Sequence, residues 1–324
     1  MTVHVLYENP DWMPPLRHAL AARGLPVVEH FCDGGTVDIG AQPPEGVWLN
    51  RMSPSSHTRG HQGGVQFVRE LLSWLEAHER PVINGTSAFA LEVSKVRQHA
   101  ALIAAGIPTP RTFGVVGGPD ALRKAASQME PPFITKHNQG GKGLGVQLFR
   151  SHTAFETFLD TGSWASSPDG VDLVQQYISP AEPFITRVEI VDGRFVYAIR
   201  SSTEQGFELC PADACQIDEG AFCPAPGLSD GPPTTSDRFQ LRDDLTEADP
   251  LVQKLVKFTH THGLGLAGIE FVEDAAGQRW VYDINGTSNY NAEVEARHDL
   301  SGMGAVAELC ARLLRADAAR ARAA

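Results

Sequence analysis

Three short segments of the chain carry residue types whose spacing suits phosphate and metal-ion chemistry. The first runs Phe133-Ile134-Thr135-Lys136-His137-Asn138-Gln139-Gly140-Gly141-Lys142-Gly143-Leu144-Gly145-Val146. An apolar strand ends in Lys136, a glycine-rich turn follows, and a second strand leaves it. Glycines let backbone N–H groups approach a polyphosphate closely, and a lysine at the strand end adds a point charge for the same phosphates. The lysine precedes the glycines, which is not the order of a GxxxxGK[ST] loop. Taken alone, the segment is compatible with a phosphate cradle or with an ordinary glycine-rich hairpin.

In the second segment, Thr186 to Arg200, Asp192-Gly193 separates two β-rich runs and predicts a two-residue hairpin turn. Val191 then faces Arg194, Arg187 faces Ala198, and Ile185 faces Arg200. That register puts Val188, Ile190, Phe195, Tyr197 and Ile199 on one face and Arg187, Glu189 and Arg200 on the other. The apolar face is core. The other is either a functional cluster of charge or a solvated face with an incidental ion pair.

The third segment predicts a hairpin of residues 267–273 and 280–285. With its turn centred between Ala276 and Gly277, Glu270 lies opposite Asp283, and Asn285 stands two residues further on the same face. Residues so paired have Cβ atoms about 5 Å apart. Like charges placed opposite one another destabilise a sheet, so a cation between them is the simplest reason to tolerate the register. Oxygen ligands of this kind suit Mg²⁺ that also bridges phosphates. A plain surface hairpin is the other reading.

Alternating strands and helices must position these groups. Strands are expected at 3–7, 27–31, 47–49 and 81–84, with helices at 15–23 and 65–77, which makes a small α/β unit with a mostly parallel sheet. A helix from 94 to 105 stops at Gly106 before Pro108 and Pro110. Strands at 112–116, 133–136 and 146–148, with a helix at 120–129, come next. From Leu173 the pattern turns largely antiparallel, residues 210–244 read as a long Pro- and Gly-rich insertion, and a last helix spans about 302–318.

Composition narrows the class. The 324 residues hold 39 Asp and Glu against 27 Lys and Arg, a net charge of −12 that argues against a nucleic-acid partner. With 42% hydrophobic residues the chain can bury real cores. No apolar run approaches the roughly 18 residues of a membrane span. Five cysteines scattered over the chain describe no disulfide framework, and a reducing cytoplasm fits best. Cys210, Cys215 and Cys223 match no common zinc spacing; buried thiols or a loop clasp is the expectation. His57 and His61 have a metal-like spacing but no third ligand near in sequence, so zinc is not expected there. His260 and His262 are expected near a helix end without catalytic work.

Together with Ser94-Lys95 and the run Ala104-Ala105-Gly106-Ile107-Pro108-Thr109-Pro110, the three segments resemble the ATP-grasp superfamily in its carboxylate–amine ligase branch, specifically RimK-like glutamate ligases. The resemblance covers about residues 80–300. It implies an ATP-grasp fold, α/β with an α+β C-terminal lobe. An N-terminal α/β domain at 1–91 would stand beside a central lobe at 92–175 and a C-terminal lobe at 176–324, the two lobes clasping ATP.

By the same resemblance Lys95 and Lys136 would hold ATP phosphates, and Gly140, Gly141, Gly143 and Gly145 would belong to a loop closing over them. Backbone groups near Gln176 and Ile178 would bind adenine, although relatives often carry Glu at the position of Gln176. Arg187 and Arg200 would reach the transferred phosphoryl group and the acyl phosphate. Glu270, Asp283 and Asn285 would ligate Mg²⁺, or Mn²⁺ in its place, with Asp283 standing where Glu is commoner. The donor-rich loop Asn50 to His61 would face the active site, making Arg51 and Arg59 candidate clamps for a substrate carboxylate; a polar loop with local hydrogen bonds is the plainer reading. Phe207 to Cys215 shows no clear equivalent of the family's phosphate-side Asn.

The implied reaction joins a carboxylate to an amine through an acyl phosphate, releasing ADP and phosphate, and cations offset the repulsion between the reacting anions. The expected substrates are a small-molecule carboxylate and an amine, as amino acid or peptide, with no nucleic acid and no membrane; a homo-oligomer is left open. A kinase of a polyol phosphate, which would need a strongly basic acceptor site, and a non-catalytic nucleotide-binding module are the alternatives.

Overall fold

The computed structural model describes residues 2–141, 143, 145–203 and 238–323. Cys210, Cys215, Cys223 and most of the expected insertion lie outside them. The end of that insertion is a strand, paired at one edge of a sheet.

Four parallel strands, β1 (Thr2–Tyr7), β2 (Val27–Phe31), β3 (Gly46–Arg51) and β4 (Val82–Ile83), form the first sheet in the order β2-β1-β3-β4. The two-residue period sends Val3 and Val5 toward helix α1 (Met13–Ala21), and Leu6 toward helix α2 (Gly64–Ala77). Two helices that carry the chain onward follow, α3 (Thr86–Glu92) and α4 (Lys95–Ala104). Ser94 caps α4, accepting from Arg97 N at 3.3 Å, which fixes where Lys95 begins the helix.

The second sheet is antiparallel, with β5 (Thr112–Val115), β6 (Phe133–His137), β7 (Gln147–Phe149) and β8 (Asp172–Gln176) in the order β5-β8-β6-β7. Helices α5 (Pro119–Ala126) and α6 (His152–Asp160) cover one side around Phe133, Phe149 and Phe155. The third sheet, also antiparallel, has the order β11-β10-β9-β12-β13, built from β9 (Phe184–Val191), β10 (Arg194–Ser202), β11 (Phe239–Leu241), β12 (Leu266–Glu273) and β13 (Arg279–Asn285). Helix α7 (Pro250–Thr261) packs Val252, Leu255 and Phe258 beneath it.

Helices α3, α6 and α8 (Ala292–His298) are short, and the sequence reading passed over them. The final helix α9 (Gly302–Ala323) does not stay with the C-terminal sheet alone. Its Val306, Leu309, Cys310 and Leu314 share a core with Val3, Val5 and Leu49 of the first sheet. Residues 176–324 are therefore not self-contained, because an apolar helix face is buried wherever a complementary sheet face stands open.

Two β-bulges set the side-chain faces at the centre of the molecule. In the β9–β10 hairpin the register shifts between Phe195 and Tyr197, so Arg187 pairs with Ile199 and Arg200 with Thr186. The expected pairs Arg187–Ala198 and Ile185–Arg200 are thus displaced by one residue. In the β12–β13 hairpin the register shifts between Glu270 and Phe271, and this shift is what sets Glu270 opposite Asp283.

Candidate active site

Between the second and third sheets lies a cavity lined by Lys95, Lys136, Arg187, Glu270, Asp283 and Asn285, with Gly140, Gly141 and Gly143 along one wall. Lys95 opens α4 and Lys136 is the penultimate residue of β6; Arg187 lies on β9, Glu270 on β12, and Asp283 and Asn285 on β13. The expected groups are thus brought together from five elements.

Their charges interlock. Lys95 Nζ lies 3.0 Å from Asp283 Oδ1, an ion pair without a well-directed hydrogen bond, and donates to Gly140 O at 3.2 Å. Lys136 Nζ donates to Tyr282 O at 3.4 Å and stands 5.8 Å from the centre of the Tyr282 ring. Arg187 donates to Glu189 Oε1 at 2.6 Å, to Glu270 Oε1 at 2.8 Å and to Ser288 Oγ at 2.8 Å. Ser288 Oγ donates in turn to Glu189 Oε2 at 2.8 Å, which closes a buried ring of partners. The Tyr282 hydroxyl donates to Glu270 Oε2 at 3.1 Å.

Burial and the neighbouring Lys95 push the Lys136 ammonium down to about 7. Asp283 loses water too, but Lys95 and Lys136 outweigh that loss and hold its carboxyl below the ordinary value. Burial and the nearby Asp283 keep Glu270 raised, against the pull of Arg187. Arg187 stays charged because Glu189 and Glu270 more than offset its desolvation. Such a set of opposed cations and anions in a closed space is ready to take up a polyanion and its counter-cation.

The donors fit a hard divalent cation. Glu270, Asp283 and Asn285 offer oxygens at one edge of the cavity, and Asn285 Nδ2 is turned away onto Gly268 O at 3.3 Å. Among the described residues no group of three His, Cys, Asp or Glu side chains could hold a metal ion by itself. Two carboxylates and an amide suit Mg²⁺ completed by phosphate oxygens and water.

Arg200 is not beside Arg187. The bulge places it on the other face of the sheet, where its guanidinium bonds Gln240 Oε1 at 2.8 Å and lies 5.3 Å from the Phe184 ring. Nor are the two arginines of the first domain open clamps. Arg51 is 2% exposed and donates to Ser288 O and Asn289 Oδ1, each at 2.7 Å. Arg59 grips the fully buried Glu8, with one bond of 3.0 Å from Nε to Oε2, and stacks 5.1 Å from the Trp12 ring. Gln176 and Ile178 line the cavity, but the Gln176 N–H is already bonded to Arg111 O at 2.8 Å. Gly145 holds a positive φ of 76° and packs against the His137 ring.

Several positioning residues were missed. Gln98 pairs with both backbone groups of Ile284, at 2.8 and 3.0 Å, and so fixes the strand beside Asp283. Asn84 binds Leu266 O, Gly286 O and Leu266 N and ties the first sheet to the third. Gly268 faces Arg187 so closely that a Cβ there would collide with its guanidinium group. Glu92, in the apolar run Ala88 to Val93, is 3% exposed yet lines the cavity. An acid within an apolar helical run was the one signal that could have marked Glu92, whereas Gln98, between Arg97 and His99, carried none.

Residues 93–208 match the RimK-like ATP-grasp domain. A D-alanine–D-alanine ligase of Azorhizobium caulinodans is 31% identical over 140 residues, 41% of this chain and 39% of that protein. A probable alpha-L-glutamate ligase of Xanthomonas oryzae pv. oryzae is 32% identical over 127 residues, 38% of this chain and 41% of that protein. The alignments thus span about 40% of the length of these curated relatives. Likeness of fold extends further. The RimK domain ATP-grasp protein of Sphaerobacter thermophilus superposes with a TM-score of 0.65 at 17% identity, covering 95% of this chain and 98% of that one. The ATP-grasp ligase PsnB, solved with a minimal precursor, gives 0.63 at 19% identity, covering 98% and 99%. The chain is therefore similar to the RimK-like ATP-grasp domain over residues 93–208, within a fold that it shares, nearly end to end, with solved ATP-grasp ligases.

Proposed function

We propose that the protein is an ATP-dependent carboxylate–amine ligase that forms an amide through an acyl phosphate and releases ADP and phosphate. The observation that carries this reading is the convergence of Lys95, Lys136, Arg187, Glu270, Asp283 and Asn285 on one cavity beside the glycine loop. Lys95 and Lys136 bind the phosphates of ATP, Gly140 to Gly145 cover them, and the backbone around Gln176 and Ile178 borders the adenine. Glu270, Asp283 and Asn285 hold Mg²⁺ or Mn²⁺, which when bound offsets phosphate charge. Arg187, kept cationic and fixed by Glu189 and Ser288, stabilises the charge that builds on the transferred phosphoryl group. An amine then attacks the acyl carbon, the bond to the phosphate oxygen breaks, and phosphate leaves.

The substrates fit the class of the similar proteins, amino acids or a peptide. A kinase acting on a polyol phosphate is disfavoured, because the guanidinium groups of Arg51 and Arg59 are already bonded within the protein. The test is ADP release screened over amino acids as carboxylates, with hydroxylamine or a second amino acid as nucleophile. Hydroxamate or amide in step with ADP and phosphate is expected. Stoichiometric AMP and pyrophosphate would overturn the reading.

A further inference from the structure

Part of the cavity wall is contributed by residues outside the two clasping sheets. They include Trp12, Ser53 and Ser55 of the first domain, Glu92 of α3, and Thr287 and Asn289 of the loop after β13. Among these, Glu92 alone carries a formal charge. The arginines that would have made this wall attractive to a carboxylate turn elsewhere, Arg51 to the Ser288–Asn289 loop and Arg59 to Glu8. The one ionisable side chain that meets a substrate here is an acid.

Glu92 also differs from the other carboxylates of the cavity. Glu270 has Arg187 at 2.8 Å and Asp283 has Lys95 at 3.0 Å. Glu92 has no Lys, Arg or His partner within ion-pair distance among the described residues, and its Oε2 is buried without a hydrogen bond. Burial pushes this carboxyl up to about 7, and the Thr287 hydroxyl, the Thr287 and Gly286 amides and the more distant Arg51 only partly offset it. A buried carboxylate oxygen without a partner is costly, and a cationic donor from a ligand would relieve that cost.

Resting on the ligase reading, we infer that Glu92 recognises the ammonium group of the amine substrate and so places the nucleophile against the wall formed by the first domain, α3 and the loop after β13, with the phosphates held by Lys95 and Lys136. A primary amine reaches the enzyme mostly as ammonium near neutral pH, and a carboxylate that has no protein cation is the natural seat for it. The inference concerns binding of a primary amine, the amino group of an amino acid or peptide.

The test compares Glu92→Gln with the wild type in two arms at neutral pH, both scored by ADP release and with saturating ATP and amino-acid carboxylate. One arm uses hydroxylamine, which is uncharged at that pH, as nucleophile; the other uses the standard amino acids as amines. The variant should keep the hydroxylamine rate and the KM for ATP, while its KM for the amine rises by about 30-fold or more, as for truncation of a buried charge pair. Glu92→Asp retains the charge but withdraws it by one methylene, and should show the same split in smaller measure; it carries the test if the Gln variant does not fold. An unchanged amine KM, or equal loss in both arms, would assign Glu92 a purely structural part and overturn the inference. A wild type inactive in both arms removes the ligase reading itself, and this inference with it.

Discussion

Lys95 Nζ stands 3.0 Å from Asp283 Oδ1, and the opposed carboxylate Glu270 is held 2.8 Å from Arg187. The two acids that face each other across the β12–β13 hairpin are therefore each paired with a protein cation, Arg187 being shared with Glu189. The sequence argument, in which only a bound metal relieves their repulsion, does not hold.

Asp283→Asn should consequently weaken the fold instead of relieving strain, because it leaves Lys95 and the buried Lys136 without their counter-charge. Breaking a buried pair on one side costs about 3 kcal/mol. Thermal unfolding without nucleotide should show a lowered Tm, and ADP formation should be lost. A variant at least as stable as the wild type would restore the repulsion argument.

Arg200→Ala should leave kcat close to that of the wild type, since the bulge after Phe195 directs this side chain to Gln240 on the far face. Arg187→Lys should lower kcat by roughly 10²-fold, the usual effect of losing a charge-stabilising donor, with a smaller change in ATP affinity. Steady-state kinetics of the two variants in parallel decides between them; a large kcat loss at Arg200 would return it to the reacting groups.

Arg59→Ala should act on stability and not on substrate affinity. Glu8 is fully buried, and its partners are Arg59 and His61, the latter 2.9 Å away. Removing the guanidinium leaves an acid short of its main counter-charge, a loss of about 3 kcal/mol. Urea midpoints of wild type and variant measure it, and an unchanged midpoint with a raised KM for a carboxylate would instead support a clamp.

His4 and His30 give the fold an acid-sensitive feature. Their rings are joined by a 3.1 Å hydrogen bond and both stack on Trp48, at 4.3 and 4.9 Å. Burial lowers both pKa values from 6.5, and the neighbouring His4 lowers that of His30 further. The unfolded chain then binds more protons than the folded one below about pH 6.5, so stability contributed by this pair is present above that pH and is lost on acidification. His30→Asn should reduce the fall in Tm between pH 7.5 and 5.5, a series read by calorimetry, and an unaltered fall would place the sensitivity elsewhere.

Much of this architecture is local in origin and could be read from residues in order. The parallel first sheet follows from alternating apolar runs and glycine stops, and the strand β2 has the bounds its pattern indicates. Lys136 before a glycine run, and Glu270, Asp283 and Asn285 together on one hairpin, were legible because turn signals act within a few residues, whereas the pairing of Glu270 with Asp283 rests on the bulge beside Glu270. What the tertiary structure alone decided is where such locally defined groups point and what they meet. A single bulged residue between Phe195 and Tyr197 reverses the face of Arg200, and no turn rule announces it. Arg51 and Arg59 were correctly seen as donors, yet Glu8 and the Ser288–Asn289 loop, distant in sequence, had already taken them. Glu92 acquired its character in the same way. Only the packing of α3 against the loop after β13 removes its water without supplying a cation, and desolvation is a property of the assembled surroundings, which no stretch of chain carries by itself.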